Sequence, residues 1–300
     1  MRCQMKRHHF YEGCNVRKFL FYLLILFGLF SQSVFAGEQG LFWKAEKLEQ
    51  KTIYLFGTMH TDDNRVTNFT PVVADTLKTI DAFMMETLAP TDPRALMTPD
   101  DLEKSLTTDE LEKVGQLVEF HTMHKAAAMH MKPWLLAVVF DSPRPLTPFA
   151  QDNLLMRTAE DMGKEIIGIE DTQEHFGVMD NFTRDEQLTM LRAVLNRSAA
   201  TKEKDFEKLL SAYLEGNSDK ILALDEKITG GMLPKEIWQK MQLKLMQERN
   251  KVMAERVLEE AKAKNVFVAV GASHLAGGSG LIASLKNAGY TLTLMPKAFQ

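Results

Sequence analysis

Cysteine is almost absent. The 300-residue sequence has two, Cys3 and Cys14, and both precede the first long apolar run. A zinc ribbon and a disulfide framework are therefore excluded from the body of the chain. Excess positive charge is missing too. Lys and Arg number 36 against 40 Asp and Glu, a net of −4, so no global field favours a polyanion and no nucleic-acid partner is expected. The first long apolar run, residues 19–30, falls short of the ~20 residues that cross a bilayer as a helix. It follows Lys6, Arg7, Arg17 and Lys18 and has the length of a secretory signal core. Small residues Val34 and Ala36 then predict cleavage after Ala36. Residues 1–36 thus read as a signal peptide, and residues 37–300 as an exported chain, periplasmic or secreted, with no stable membrane span. Removing five basic residues and one acidic residue leaves 31 against 39, a net of −8. An uncleaved N-terminal anchor is the alternative. At 45% apolar and 25% charged, the sequence is rich enough to bury a core.

Short apolar-aromatic segments at 41–46 and 52–56 predict a hairpin or adjacent strands. A helix over 72–79 and a buried strand over 80–86 follow, a strand–helix–strand order that favours a parallel crossover. Residues 98–163 change to helical periodicity, and a strand over 164–169 closes that block. A second helical block fills 184–264, read as broken by Gly216 and by Gly230-Gly231. Strands at 266–270 and 291–295 flank a glycine-rich loop (271–280) and a helix (281–288). The layout predicts a single α/β domain with a central mixed or mostly parallel sheet. Its helical insertions, at about 98–163 and 184–264, form a cap. Ligands of such sheets bind at the carboxyl ends of the strands.

Three strand ends carry polar groups suited to a site: His60, Glu86 and His274. The histidines share a frame, Gly57-Thr58-Met59-His60 and Gly271-Ala272-Ser273-His274. A glycine ending a strand permits a sharp turn that projects the histidine over the sheet edge. Two imidazoles and a carboxylate there would make a first shell for a divalent ion, leaving positions open for water or substrate. Side chains so placed are expected to contribute little to packing. The loop 271–280 matches neither the dinucleotide nor the P-loop pattern; it serves to start a helix, and its N–H groups are candidates for stabilising an oxyanion. His121, His124 and His130 crowd a helical stretch without the His-Glu-x-x-His frame. His175 reads as solvated surface, and Asp62 and Asp63 as turn formers or partners of His60. Arg249 lies mid-helix with an apolar flank, so its charge must reach a partner or the cleft. A salt bridge to Glu86 or Glu170 and capture of a substrate carboxylate both satisfy that need. Most of the 18 methionines fall at apolar helical positions and read as core.

These segments also resemble a known family. The frame ending at His60 after "TIYLF", Glu86 in "FMMET", Lys132-Pro133-Trp134, Gly168-Ile169-Glu170, Glu248-Arg249-Asn250 and "VFVAVGASHLAGGSGLIASLKNAGY" occur in the order found in the TraB/GumN family. At a remove the chain is similar to the Tiki Wnt-inactivating proteases and to the ChaN-like and erythromycin-esterase-like fold. The resemblance implies a metal-dependent peptidase whose site contains His60, His274 and Glu86, with Arg249, Asn250 and Glu170 matching the family's other polar positions. The expected function is an exported metal-dependent hydrolase acting on a peptide or protein. His60, His274 and Glu86 would be its metal ligands, the metal being Mn, Co or Zn, and Glu86, Arg249, His60 and His274 its catalytic groups. The alternative is a non-catalytic binding protein that sequesters a peptide or a haem-like ligand in the same cleft.

Overall fold

A computed structural model describes residues 40–299, so the signal-peptide reading of residues 1–36 lies outside the described residues. Six strands form one mixed sheet: β1 (Phe42–Glu46), β2 (Ile53–Thr58), β3 (Ala82–Met85), β4 (Glu165–Gly168), β5 (Val266–Gly271) and β6 (Thr291–Leu294). Their order is β4-β3-β5-β2-β1-β6. The four strands from β4 to β2 run parallel, and β1 is antiparallel to both β2 and β6. The fold is α/β, and β1 and β2 form the expected hairpin pair.

The two-residue period sorts each strand's side chains between the faces. On one face Phe42, Phe56, Phe267 and Phe83 cross β1, β2, β5 and β3. Adjacent rings lie 5.3 to 5.7 Å apart. Such ring pairs add ~0.5–1.5 kcal/mol each beyond area burial. Helices Pro71–Thr79, Gln151–Asp161 and Ala199–Leu214 cover this face through Leu77, Leu155 and Leu210. On the other face Leu55, Met84 and Val268 meet Met253 and Val257 of helix Arg249–Glu260 and Leu285 of helix Leu281–Asn287. Central β5 is buried on both sides, as its unbroken Val-Phe-Val-Ala-Val run requires.

A third apolar cluster belongs to the helical cap. Phe140 and Leu136 of helix Pro133–Asp141 pack with Leu191 and Val194 of helix Arg184–Leu195, and Leu233 and Ile237 join them. The two predicted insertions are therefore divided in their work. Their outer helices build the cap, whereas Gln151–Asp161, Ala199–Leu214 and Arg249–Glu260 form layers of the sheet sandwich. Two local readings need correction. Gly230-Gly231 does not break a helix: Ser218–Met232 runs through both and stops before Pro234. A Cβ at Gly230 would stand 2.8 Å from the Trp238 ring, so this glycine is a packing notch. His175, read as solvated surface, lies in a helix, Thr172–Asp180, that a capping box between Asp171 and Glu174 starts, and its side chain is 22% accessible.

Candidate functional site

Because β2, β5, β3 and β4 are parallel, their carboxyl ends lie on one edge of the sheet. His60 follows β2, Glu86 follows β3, Glu170 follows β4 and His274 follows β5. That edge faces the cap across a cavity of about 510 Å³, lined by His60, Glu86 and His274 on the sheet side and by Trp134 and Leu233 on the cap side.

The glycines of the two histidine frames act by close approach. Gly57 lies within β2, and a Cβ there would stand 3.0 Å from Leu275 Cδ2 and 3.1 Å from Ala272 Cα. Its absence lets the turn after β5 settle against β2. At Gly271 the bare backbone brings its N–H within 2.8 Å of Glu86 Oε1. The expectation that these glycines serve as sharp turns is replaced by tight backbone contact.

Arg249 is the hub. It follows a π-helical segment, Gln242–Glu248, inside a long helix, a distortion that recurs at functional sites. Its Nε donates to Glu170 Oε1 at 2.9 Å, and its Nη2 donates to Glu170 Oε2 at 2.7 Å and to Glu86 Oε2 at 2.6 Å. His175 Nδ1 lies 3.0 Å from both Glu170 Oε2 and Arg249 Nη2. The two protons of Nη2 serve the carboxylates, so His175 Nδ1–H donates to Glu170. Arg249 Nη1 stands 3.5 Å from His274 Nε2. The next residue, Asn250, offers Oδ1 to His274 Nδ1 at 2.5 Å, which leaves Nε2 as the unprotonated nitrogen of that ring.

Electrostatics follow from this geometry. Burial works against ionisation of Glu86, but the Arg249 guanidinium and the Gly271 N–H overcome it and hold the carboxyl well below the usual range. Burial pushes His274 the other way, to a lowered pKa, so its ring is neutral and the charge that keeps Glu86 ionised is that of Arg249. At Glu170 burial is likewise overcome by the bonds from His175 and Arg249, and the pKa is lowered. Two carboxylates against one guanidinium leave the site negative.

His60 is set apart. Its side chain is 79% accessible, because it stands in the open mouth of the cavity. Its Nδ1 lies 3.1 Å from both oxygens of Asp152, and that hydrogen bond raises its pKa. Asp62 and Asp63 do not orient it: Asp62 accepts from the Leu146 and Thr147 N–H groups, and Asp63 caps a helical turn and pairs with Arg65. Gln151 and Tyr213 fix the segment before His60. Gln151 Oε1 accepts from Met59 N at 2.9 Å, and the Tyr213 hydroxyl lies 2.6 Å from the Gly57 carbonyl.

Among the described residues, one set of three His, Cys, Asp or Glu donors lies within 4.8 Å of one another: Glu86, Glu170 and His175. Arg249 Nη2 already sits among those donors, so an ion there would displace the guanidinium. A second position fits better. Glu86 Oε1 and His274 Nε2 are 3.7 Å apart, a spacing that two ligands of one zinc-like ion at ~2.0–2.2 Å can span. Both frame histidines also tie Nδ1 to a side-chain oxygen, Asp152 or Asn250, the outer contact that fixes a ligating imidazole through Nε2. The structure brings Glu86, His274 and Arg249 together and leaves His60 on the rim of the same cavity.

Other sequence candidates fall away. The helix Thr108–Phe120 ends before His121, whose buried ring packs on Phe140, while His124 and His130 are exposed. In the glycine-rich loop three glycine N–H groups are taken within the protein, Gly271 by Glu86, Gly277 by Asp219 and Gly280 by the Gly277 carbonyl. Sequence reasoning missed Asp152 and the role of His175. The Asp171-x-x-Glu174 pattern, a helix start that aims the next residue back toward the strand end, was the available signal for His175.

The chain belongs to the TraB/PrgY/gumN family, whose sequence model matches residues 41–294. No curated protein matches it.

Proposed function

We propose that this family member is an exported metal-dependent hydrolase that cleaves peptides. The observation that carries the reading is the pairing of an ionised Glu86 with a neutral His274 whose Nε2 lies 3.7 Å away at the wall of a cavity. Glu86 and His274 would hold the ion; among the described residues no set within 4.8 Å joins His60 to that pair, so His60 would reach the ion only by moving inward from the rim. A bound divalent ion supplies a polarised water and a Lewis acid at neutral pH.

The chain's own residues do the rest. Asn250 and Asp152 fix the ring orientations of His274 and His60. Arg249 keeps Glu86 and Glu170 ionised and presents Nη1 beside His274 Nε2, where a fixed positive charge stabilises an oxyanion forming in the cavity. That role adds to the salt bridges it makes with Glu86 and Glu170. The cap side chains around Trp134 and Leu233 exclude bulk water and offer apolar surface to a peptide.

The test is elemental analysis of protein purified without a chelating tag, joined to a peptide-cleavage assay. Stoichiometric metal, a colourless solution and chelator-sensitive cleavage are expected. A Soret band would favour the haem-binding alternative, and metal-free protein that cannot be reconstituted would overturn the reading. Glu86→Gln divides two roles: lost metal marks a ligand, and retained metal with lost turnover marks a base. Sequencing the N-terminus of the exported protein tests cleavage, with Gly37 expected first.

A further inference from the structure

Three acidic side chains in the cavity, Asp141, Asp205 and Asp225, belong to none of the machinery above, and Asp225 differs from the other two. Helix Ser218–Met232 presents Ile221, Asp225, Ile228 and Met232 to the cavity, at positions that share one helical face. Thr229 lines the cavity from the same helix, and Asp225 is the one charged side chain that this helix presents there. Among the described residues its one hydrogen bond comes from Ser273, whose Oγ donates to Asp225 Oδ2 at 2.6 Å. Ser273 immediately precedes His274, so this carboxylate lies beside the turn that carries the proposed ligand.

The charged groups around the same cavity are engaged elsewhere. Arg197 bonds Asp141 and Asp205, and Lys202 Nζ donates to the Phe140 carbonyl. Glu86 is answered by Arg249 and His60 by Asp152. Among the described residues no cation pairs with Asp225, and burial pushes its pKa up, with the Ser273 hydroxyl opposing. Glu86 and Asp225 are therefore carboxylates of opposite character in one cavity. The first is kept ionised by the protein's own cation. The second is a part-buried carboxylate with one oxygen bonded to Ser273 and, among the described residues, no cation to meet it.

We infer that Asp225 is a subsite for a positively charged group of the substrate, the side chain of a lysine or arginine residue one or two positions from the reacting bond. The reach follows from the chain: Ser273 and His274 are consecutive, and an extended peptide advances ~3.3–3.6 Å per residue. A charge-assisted hydrogen bond in a desolvated pocket discriminates strongly against a neutral isostere, because the isostere leaves the carboxylate unpaired. The inference rests on the peptide reading of the cavity but not on turnover.

Two acetylated tripeptide amides, Gly-Lys-Gly and its norleucine counterpart, test it. Affinity is read by rapid-mixing tryptophan fluorescence, since Trp134 lines the cavity, before cleavage begins. At pH 8 the lysine peptide should bind roughly 10- to 100-fold more tightly. The preference should shrink as pH falls and Asp225 takes up a proton. His60 also gains charge over that range, so Asp225→Asn is compared at each pH. That variant should bring the ratio close to one, while Ser273→Ala, which keeps the charge, should retain the preference. Equal affinities in the wild type, no binding of either peptide, or an unchanged ratio in folded Asp225→Asn would overturn the subsite. Charge preference without cleavage would leave Asp225 standing and overturn the hydrolase; cleavage without charge preference would do the reverse.

Discussion

The same four-residue frame occurs twice in this chain, and its two histidines end in opposite environments. His274 is 6% exposed, bonded to Asn250 and crowded by Arg249 and Glu86. His60 stands in the cavity mouth with Asp152 as its partner. The local sequences are nearly interchangeable, so the difference comes from what packs over each turn. Arg249 and Asn250, at the start of helix Arg249–Glu260, cover His274 after β5, whereas His60 after β2 stands open at the mouth of the cavity that both histidines line. A frame of this kind specifies where a histidine is attached; the neighbouring helix specifies its charge state.

The largest expected effect comes from removing the residue that makes the buried side buried. Arg249→Ala would strand Glu86 and Glu170 in a desolvated site, and breaking such a pair from one side costs ~3–5 kcal/mol. Urea unfolding should show this loss. Arg249→Lys should recover only part of it, because an ammonium cannot reproduce the fork that holds both carboxylates. A loss within the error of the fit would mean that the site is wetter than its geometry indicates.

Next in size is the histidine pair itself. His274→Ala removes a packed ring and orphans Asn250 Oδ1, a loss of ~1–3 kcal/mol. His60→Ala should change stability by about 0.5 kcal/mol or less. The sequence-based expectation that both histidines are cheap to remove is therefore kept for the exposed His60 and revised for the buried His274. Both substitutions should abolish cleavage, which separates the functional symmetry of the frames from their structural asymmetry. Thermal melts of the two variants, run beside an activity assay, check both halves.

The legible part of this site was the part written in strand ends. Short apolar segments located β1, β2, β3 and β5, and the polar residue after each apolar run located Glu86, His60 and His274. The apolar flank of Arg249 correctly turned it inward. Illegible features were those set by tertiary contact. Nothing local announces the π-helical turn before Arg249, because it depends on how the helix meets the cap and the sheet together. Asp152 lies 92 residues from His60 and carries no motif. Gly230 looked like a breaker because its partner, Trp238, is visible only in three dimensions. Asp225 did leave a trace, as the one acid on the apolar stripe of Ile221, Ile228 and Met232, but a single acid on such a stripe reads equally well as a helix edge.

The pH dependence of stability should also differ in sign between the frames. For His274 the folded pKa is depressed from 6.5 by burial, so the unfolded chain binds the proton more readily. Its contribution is present above pH 6.5 and is lost as pH falls below that value. For His60 the folded pKa is raised from 6.5 by Asp152. Its contribution is present below 6.5 and is lost as pH rises through the folded value, and exposure keeps it small. Unfolding free energies between pH 5 and pH 8 should thus become less pH-dependent at the acid end in His274→Ala, with little change in His60→Ala. Equal slopes in the two variants would break the contrast.

The smallest effect sharpens the comparison most directly. Asp152→Asn gives His60 the kind of amide partner that His274 has in Asn250, while leaving the ring in open water. If the partner sets the charge state, the His60 pKa should fall back toward 6.5, and an imidazole NMR titration would follow it residue by residue. Stability should move by only a few tenths of a kcal/mol, as for other exposed ion pairs. His274, shielded by Arg249–Glu260, should show no change in the same spectra. Solvent access would then account for the remaining distance between the two histidines, and partner identity for the part that the substitution removed. A His60 pKa unmoved by loss of the Asp152 charge would assign its shift to the wider negative field of the cavity, in which Glu86 also acts on it, and would make the two frames electrostatically one site.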